Sequence, residues 1–186
     1  MKSRLLSSFA LLLGALAMFA CVDPDQTQEV ILERDKVAIE NFLKENPIAS
    51  VKEYSEPIEG FYMFWQVSTK PERNSLVRGD TVRVNYVGKN LEKRIFDTSI
   101  EQVARDNNIF SAGRKYEPLR FGVGYGLTIP GFEFAISMMH PGEKATVIFP
   151  SRLGYGPQAS GSIPANSPLI FELDLVQVKK GPNLNP

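Results

Sequence analysis

Residues 121–136 read FGVGYGLTIPGFEFAI, and the fold turns on what their glycines do. Gly122, Gly124 and Gly126 precede an apolar run, the order in which a nucleotide-binding strand, loop and helix would open. A dinucleotide loop needs G-x-G-x-x-G. Here the third position falls on Leu127 or on Ile129, depending on which glycine begins the count. No G-x-x-x-x-G-K-[ST] occurs either. The apolar run starts with Pro130, which has no N–H to offer an anion. Leu119, Phe121 and Val123 instead alternate as in a half-buried strand. The glycines then mark the turn out of that strand. Phe132, Ile136 and Met139 follow at helical spacing, with Pro130 as a start signal and Pro141-Gly142 as a stop.

Working outward, the segments on both sides are strands. DTVRVNYVGKNL places Val82, Val84 and Tyr86 against Arg83 and Asn85, a period of two. FYMFWQVS, RIFDTS, EKATVIFP and SPLIFELDLVQVKK read as further strands, and IEQVARDNN as a short helix. Several strands, one short core helix and more strands predict an α+β domain: an antiparallel, twisted sheet wrapped around one short α-helix. Upstream, EVILERDKVAIENFLKEN carries Ile31, Ala38, Ile39, Phe42 and Leu43 among charged residues. It predicts an amphipathic helix that ends at Asn46-Pro47, with its apolar face packed on the domain or on a second copy of the chain.

The chain has 186 residues, 43% of them hydrophobic, and no formal net charge. It can bury a core, and nothing global calls for nucleic acid. The first 20 residues are different. Lys2 and Arg4 precede an uncharged run from Leu5 to Ala20, the pattern of a signal segment, too short for a mature transmembrane helix. Cys21 is the only cysteine and follows that run, so it has no internal disulfide partner. The segment resembles a bacterial lipoprotein signal, with MFAC as the lipobox. That resemblance implies lipid attachment at Cys21, a membrane anchor and a place in the bacterial cell envelope, at the outer membrane. The expected organisation is a signal peptide over 1–20, a tether over 21–28 and a helix and linker over 29–57. The main domain then spans 58–180, with a tail over 181–186.

The chemical inventory is sparse. His140 is the only histidine, and no residues sit at metal-ligand spacing. No serine has an evident base. On pattern alone, alternating apolar residues are core. Asp97 and Tyr155 are exceptions: Asp97 is an acid at a strand end between apolar neighbours, and Tyr155 lies on the long Gly/Pro/Ser-rich loop SRLGYGPQASGSIPAN. Long loops in compact domains are usually functional.

Taken together, NYVG, RIFDTS, PLRFGVG with TIPGFEFAI, LGYG with SIP, and LIFELDLVQV resemble the FKBP-type peptidyl-prolyl isomerases over about residues 58–180. The resemblance implies isomerisation of X-Pro bonds without a cofactor or metal. It implies proline-containing polypeptides as substrates and macrolide inhibitors as ligands of the same cleft. The rival reading is a non-catalytic peptide-binding or chaperone module on the same fold. Carried over residue by residue, Tyr86 and Phe96 are walls, with Asp97 beside Phe96. Leu119 stands where the family usually has Phe. Thr128 and Ile129 form a lip, and Phe132 is the floor, where Trp is commonest. Tyr155 presents its hydroxyl, Ile163 caps the site and Phe171 closes its back. Asp97, Tyr155 and Phe96 are thereby the catalytic candidates. Residues 100–118 resemble an insertion of lipid-anchored bacterial members, some associated with gliding motility. Ile109, Phe110 and Tyr116 within it are placed either on the cleft rim or against the sheet.

Overall fold

The computed structural model describes residues 27–74 and 76–182. The expected signal segment, Cys21 and most of the tether lie outside them, as do residues 183–186. Seven strands form one antiparallel sheet: β1 (Lys52–Glu56), β2 (Phe61–Val67), β3 (Thr81–Lys89), β4 (Ile95–Thr98), β5 (Leu119–Gly122), β6 (Lys144–Phe149) and β7 (Leu169–Lys179). The order is β1-β2-β6-β7-β3-β4, with β5 also on β3. Thus β3 has β7 along one edge, while its other edge is shared. Thr81–Val84 pair with β5 and Val87–Lys89 with β4. The chain between Ser99 and Pro118 leaves the sheet at this split. It contains the short helix α2 (Glu101–Asp106).

The third helix, α3 (Pro130–Ser137), packs on the concave face of the sheet, as the helical spacing predicts. Phe132, Ala135 and Ile136 are buried there with Met63, Trp65, Val84, Val147, Phe149 and Phe171. Close contact is built in at Gly131. A Cβ there would come within 2.6 Å of the Phe149 ring.

The first helix, α1 (Gln28–Glu45), covers the opposite face. Thr27 caps its start by accepting a hydrogen bond from the Val30 N–H at 3.3 Å. Asn46 ends it, both its N–H and its side-chain amide donating to the Phe42 carbonyl. Ile148 and Ile170 are paired across β6 and β7, and each alternates with residues of the concave-face core. They therefore point outward, and Ile39 of α1 buries them. This explains why VIF in β6 and LIF in β7 are apolar without alternation: both faces of these strands are covered.

One strand departs from the sequence reading. KEYSE, within the expected linker, forms β1 and joins β2 in register from Lys52↔Trp65 to Glu56↔Phe61. Its apolar content is one tyrosine, so period-two patterning has almost nothing to show. Tertiary pairing with the strongly β-forming FYMFWQV decides its conformation.

Candidate functional site

A cavity of about 480 Å³ opens between the concave face, the start of α3 and the long loop after β6. Tyr86, Asp97, Leu119, Thr128, Ile129, Phe132, Tyr155 and Phe171 all line it, so eight of the ten expected cleft residues converge. Gly126, Leu127 and Pro130 add to the rim.

The floor is an aromatic cluster. The Phe132 ring centroid lies 5.2 Å from Phe171 and 5.7 Å from Tyr86, both nearly perpendicular. Such edge-to-face contacts are the preferred geometry of aromatic rings and hold Phe132 in place. Phe96 is not on the lining. It stands behind Phe171, ring centroids 5.7 Å apart and nearly perpendicular. Ile163 is buried in the main core, where it forms an isolated bridge with Ser160. Gly88, last in the run YVG, lets these rings meet. A Cβ on it would lie 2.7 Å from Phe96 and 2.9 Å from Phe171.

The polar groups sit at the edge. The Tyr86 hydroxyl donates to Asp97 Oδ2 at 2.5 Å, and the Thr98 N–H donates to Oδ1 at 2.8 Å. Arg114 completes the arrangement from the split-edge insertion. Its Nη1 bonds Asp97 Oδ1, and its Nη2 donates to the Tyr86 hydroxyl at 2.9 Å. Burial, then the hydrogen bond and charge of Asp97, push the Tyr86 phenol well up, against the opposing pull of Arg114. Burial and the Asp97 charge also raise Tyr155. Both phenols stay protonated at neutral pH and serve as donors.

Two further groups await a partner. The Thr128 hydroxyl is buried and makes no hydrogen bond among the described residues. The Ile129 N–H, at the N-cap of α3, likewise donates to none of the described residues. A buried polar group without a partner is costly.

Arg114 is the residue that the sequence reading misses. It lies 17 residues from Asp97 inside the insertion, where no periodicity or motif marks it. None of Ile109, Phe110 and Tyr116 lines the cavity itself, but the aromatic pair borders its rim through Arg114. Phe110 and Tyr116 stack on each other at 5.6 Å between centroids. Arg105 lies 3.6 Å over Phe110, and Arg114 lies 5.2 Å over Tyr116. The stack ends on the guanidinium that holds Asp97.

Comparison with known proteins agrees with this geometry. Residues 72–176 match the family model described as FKBP-type peptidyl-prolyl cis-trans isomerase. The short-type peptidyl-prolyl cis-trans isomerase of Methanocaldococcus jannaschii is 45% identical over 83 residues, 45% of this chain and 52% of that protein. The chain thus spans about half the length of that curated relative. FK506-binding protein 1 of Eremothecium gossypii is 31% identical over 125 residues, 67% of this chain and 98% of that protein. A crystal structure of a peptidyl-prolyl cis-trans isomerase from Pseudomonas syringae pv. tomato superposes with a TM-score of 0.57. It shares 24% identity and covers 84% of this chain and 98% of that one, a likeness of fold.

Proposed function

Because the chain belongs to the FKBP-type peptidyl-prolyl cis-trans isomerase family, we propose that it catalyses cis–trans isomerisation of X-Pro bonds in polypeptides, in the cleft floored by Phe132. The observation that carries this reading is the division of the cleft into an apolar floor and a rim of donors without partners.

The X-Pro barrier, about 18–20 kcal/mol, is mainly lost amide resonance. No covalent bond to the peptide needs to break. The twisted amide is less polar than the planar one, so a dry aromatic site favours it relative to water. Phe132, Phe171, Tyr86 and Leu119 supply that site, and the prolyl ring fits against Phe132. The hydroxyl of Tyr155, a residue 38% exposed, holds the rotating carbonyl, while the Ile129 N–H fixes the flanking chain. Asp97, tied to Tyr86, Thr98 and Arg114, shapes the wall electrostatically and is not a base. The same cleft suits macrolide inhibitors, in keeping with relatives named for binding FK506.

The location follows from the N-terminal pattern. A signal over 1–20 and lipid attachment at Cys21 would tether the domain in the bacterial envelope, at the outer membrane, where folding of envelope proteins supplies prolyl substrates. A protease-coupled proline isomerisation assay on residues 22–186 tests the activity. Wild type is expected to accelerate the reaction, and Asp97→Val and Tyr155→Ala to lose most of it. Peptide binding without acceleration would assign the non-catalytic role instead. For the anchor, Cys21→Ser is expected to release the protein from membranes, and persistent association would refute lipidation.

A further inference from the structure

We propose that α1 positions the substrate-holding Tyr155, with Arg34 and Asp35 as its positioning residues. The proposal rests on the prolyl-cleft reading but on different atoms. Asp35 is 1% exposed, an unusual place for a carboxylate on an otherwise amphipathic helix. Its Oδ2 accepts from the Ser151 N–H at 2.9 Å and from the Ser151 hydroxyl at 2.5 Å. Arg34 Nη2 donates both to Asp35 Oδ1 at 3.0 Å and to the Asn166 carbonyl at 2.8 Å. Ser151 and Asn166 are the two ends of the loop that carries Tyr155.

Those ends meet at the residue after Tyr155. The Gly156 N–H donates to the Ser151 carbonyl at 2.9 Å, and the Gly156 carbonyl accepts from the Asn166 N–H at 2.7 Å. The hydrogen bonds therefore close a ring: Asp35, Ser151, Gly156, Asn166, Arg34 and back to Asp35. The Tyr155–Gly156 peptide is one of its members, with Gly156 at a left-handed φ of +59°. The loop is rich in glycine and proline; Leu153 and Ile163 anchor it to the core on either side of Tyr155, and the hydrogen-bonded ends fix the Tyr155–Gly156 peptide between them. The helix lies outside residues 72–176, which match the family model. The clamp thus joins a helix outside the matched residues to a loop inside them.

Two readouts test the clamp on residues 22–186: amide hydrogen exchange over residues 153–166, and kcat/KM in Arg34→Ala, Asp35→Ala and each combined with Tyr155→Phe. The Arg34 side chain is 58% exposed, so Arg34→Ala is expected to fold and to keep the wild-type Tm. Exchange in the loop should rise about tenfold, and kcat/KM should fall about three- to tenfold in either single variant. In the Tyr155→Phe background the same changes should cost little more, because the hydroxyl they position is gone. Asp35→Asn, which keeps an acceptor for Ser151 but turns its amide N–H toward the Arg34 donor, should recover only part of the loss. Unchanged loop exchange in Arg34→Ala, or losses that add fully to Tyr155→Phe, would overturn the proposal. If Asp35→Ala does not fold, Arg34→Ala and Asp35→Asn decide by the same criteria. Should wild type show no isomerase activity, the exchange measurement still decides the clamp, so the two failures are distinguishable.

Discussion

Arg114 grips Asp97 and Tyr86 at once: Nη1 pairs with the carboxylate and Nη2 donates to the phenol at 2.9 Å. The first two share a split sheet edge, since β4 carries Asp97 and the insertion that follows β4 carries Arg114. The pair is more than a third exposed on each side, so its stabilising effect is modest, under about 1 kcal/mol. Its effect on the cleft is larger, because it fixes the carboxylate at the wall.

Arg114→Ala is therefore expected to leave Tm nearly unchanged and to lower kcat/KM about three- to tenfold. Arg114→Lys keeps the charge but has no planar fork to reach both partners, so recovery should be partial. Raising salt should shrink the difference between wild type and Arg114→Ala, since a partly exposed pair is screened. Steady-state assays at low and high ionic strength check all three. Full activity in Arg114→Ala would remove the insertion from the site.

Tyr155 gives a second expectation. Burial and the nearby Asp97 charge raise its phenol above the ordinary value, so it remains a donor throughout the neutral range. On that ground kcat/KM should be flat between roughly pH 6 and pH 9. Tyr155→Phe keeps the ring and loses the donor, and should lower kcat/KM about tenfold with the profile still flat. A pH–rate profile of both proteins makes the check. A bell-shaped wild-type profile would show proton transfer that this site is not built to perform.

These two cases also show what was legible in the sequence and why. Phe132, Ile129 and Tyr155 sit in short motifs whose spacing is fixed by one turn or one loop, and the structure brings them into one cavity. The alternation of Val82, Val84 and Tyr86 is likewise read directly as a buried face of β3. Arg114 has no such spacing, because the insertion that delivers it folds on its own aromatic stack. Asp35 was hidden for a related reason. A charged residue within an amphipathic helix reads as solvated, and only the partner Ser151, 116 residues away, makes it buried. Strand β1 escaped because its partner, not its composition, makes it a strand. The motifs put Phe96 and Ile163 at the cleft, whereas each backs or borders it from the core.

Glu143 links acid stability to the core. It is fully buried and accepts hydrogen bonds from Trp65 Nε1 at 2.9 Å, the Thr69 N–H at 3.0 Å, the His140 N–H at 2.9 Å and the Ser68 hydroxyl at 3.0 Å. Lys52 pairs with it at 3.3 Å. Burial alone would raise its pKa, but these donors outweigh burial and hold it below the usual carboxylate value. The folded state thus binds its proton less readily than the unfolded chain. Its stabilising contribution is present above the unfolded pKa and is lost as pH falls through the folded one. Asp80 behaves the same way: burial opposes ionisation, and the Gly181 N–H, Lys180 and the Val77 N–H outweigh it. Stability should accordingly fall below roughly pH 4. Glu143→Gln turns an amide N–H toward existing donors and should cost about 2–4 kcal/mol at pH 7, with a flatter acid limb. Urea unfolding followed by Trp65 fluorescence at pH 7 and pH 3.5 makes the comparison. An unchanged acid limb in the variant would show that Glu143 does not set it.

The floor offers the most direct view of the cleft. Trp65 is the only tryptophan and is fully buried beside Glu143, away from the cavity lining. Its emission should respond little when a prolyl peptide binds. Phe132→Trp puts an indole on the cavity floor, between Tyr86 and Phe171. The larger ring adds apolar contact with a bound proline, and peptide affinity should rise about two- to tenfold. Overpacking against Phe121, whose centroid is 6.0 Å from Phe132, should cost about 1 kcal/mol of stability. Titrating wild type and Phe132→Trp with a proline-containing peptide separates the possibilities by fluorescence. A saturable change in the variant, absent from wild type, places the peptide over residue 132. An active variant whose emission does not move at saturating peptide would place the substrate elsewhere and remove Phe132 from the floor of the reaction site.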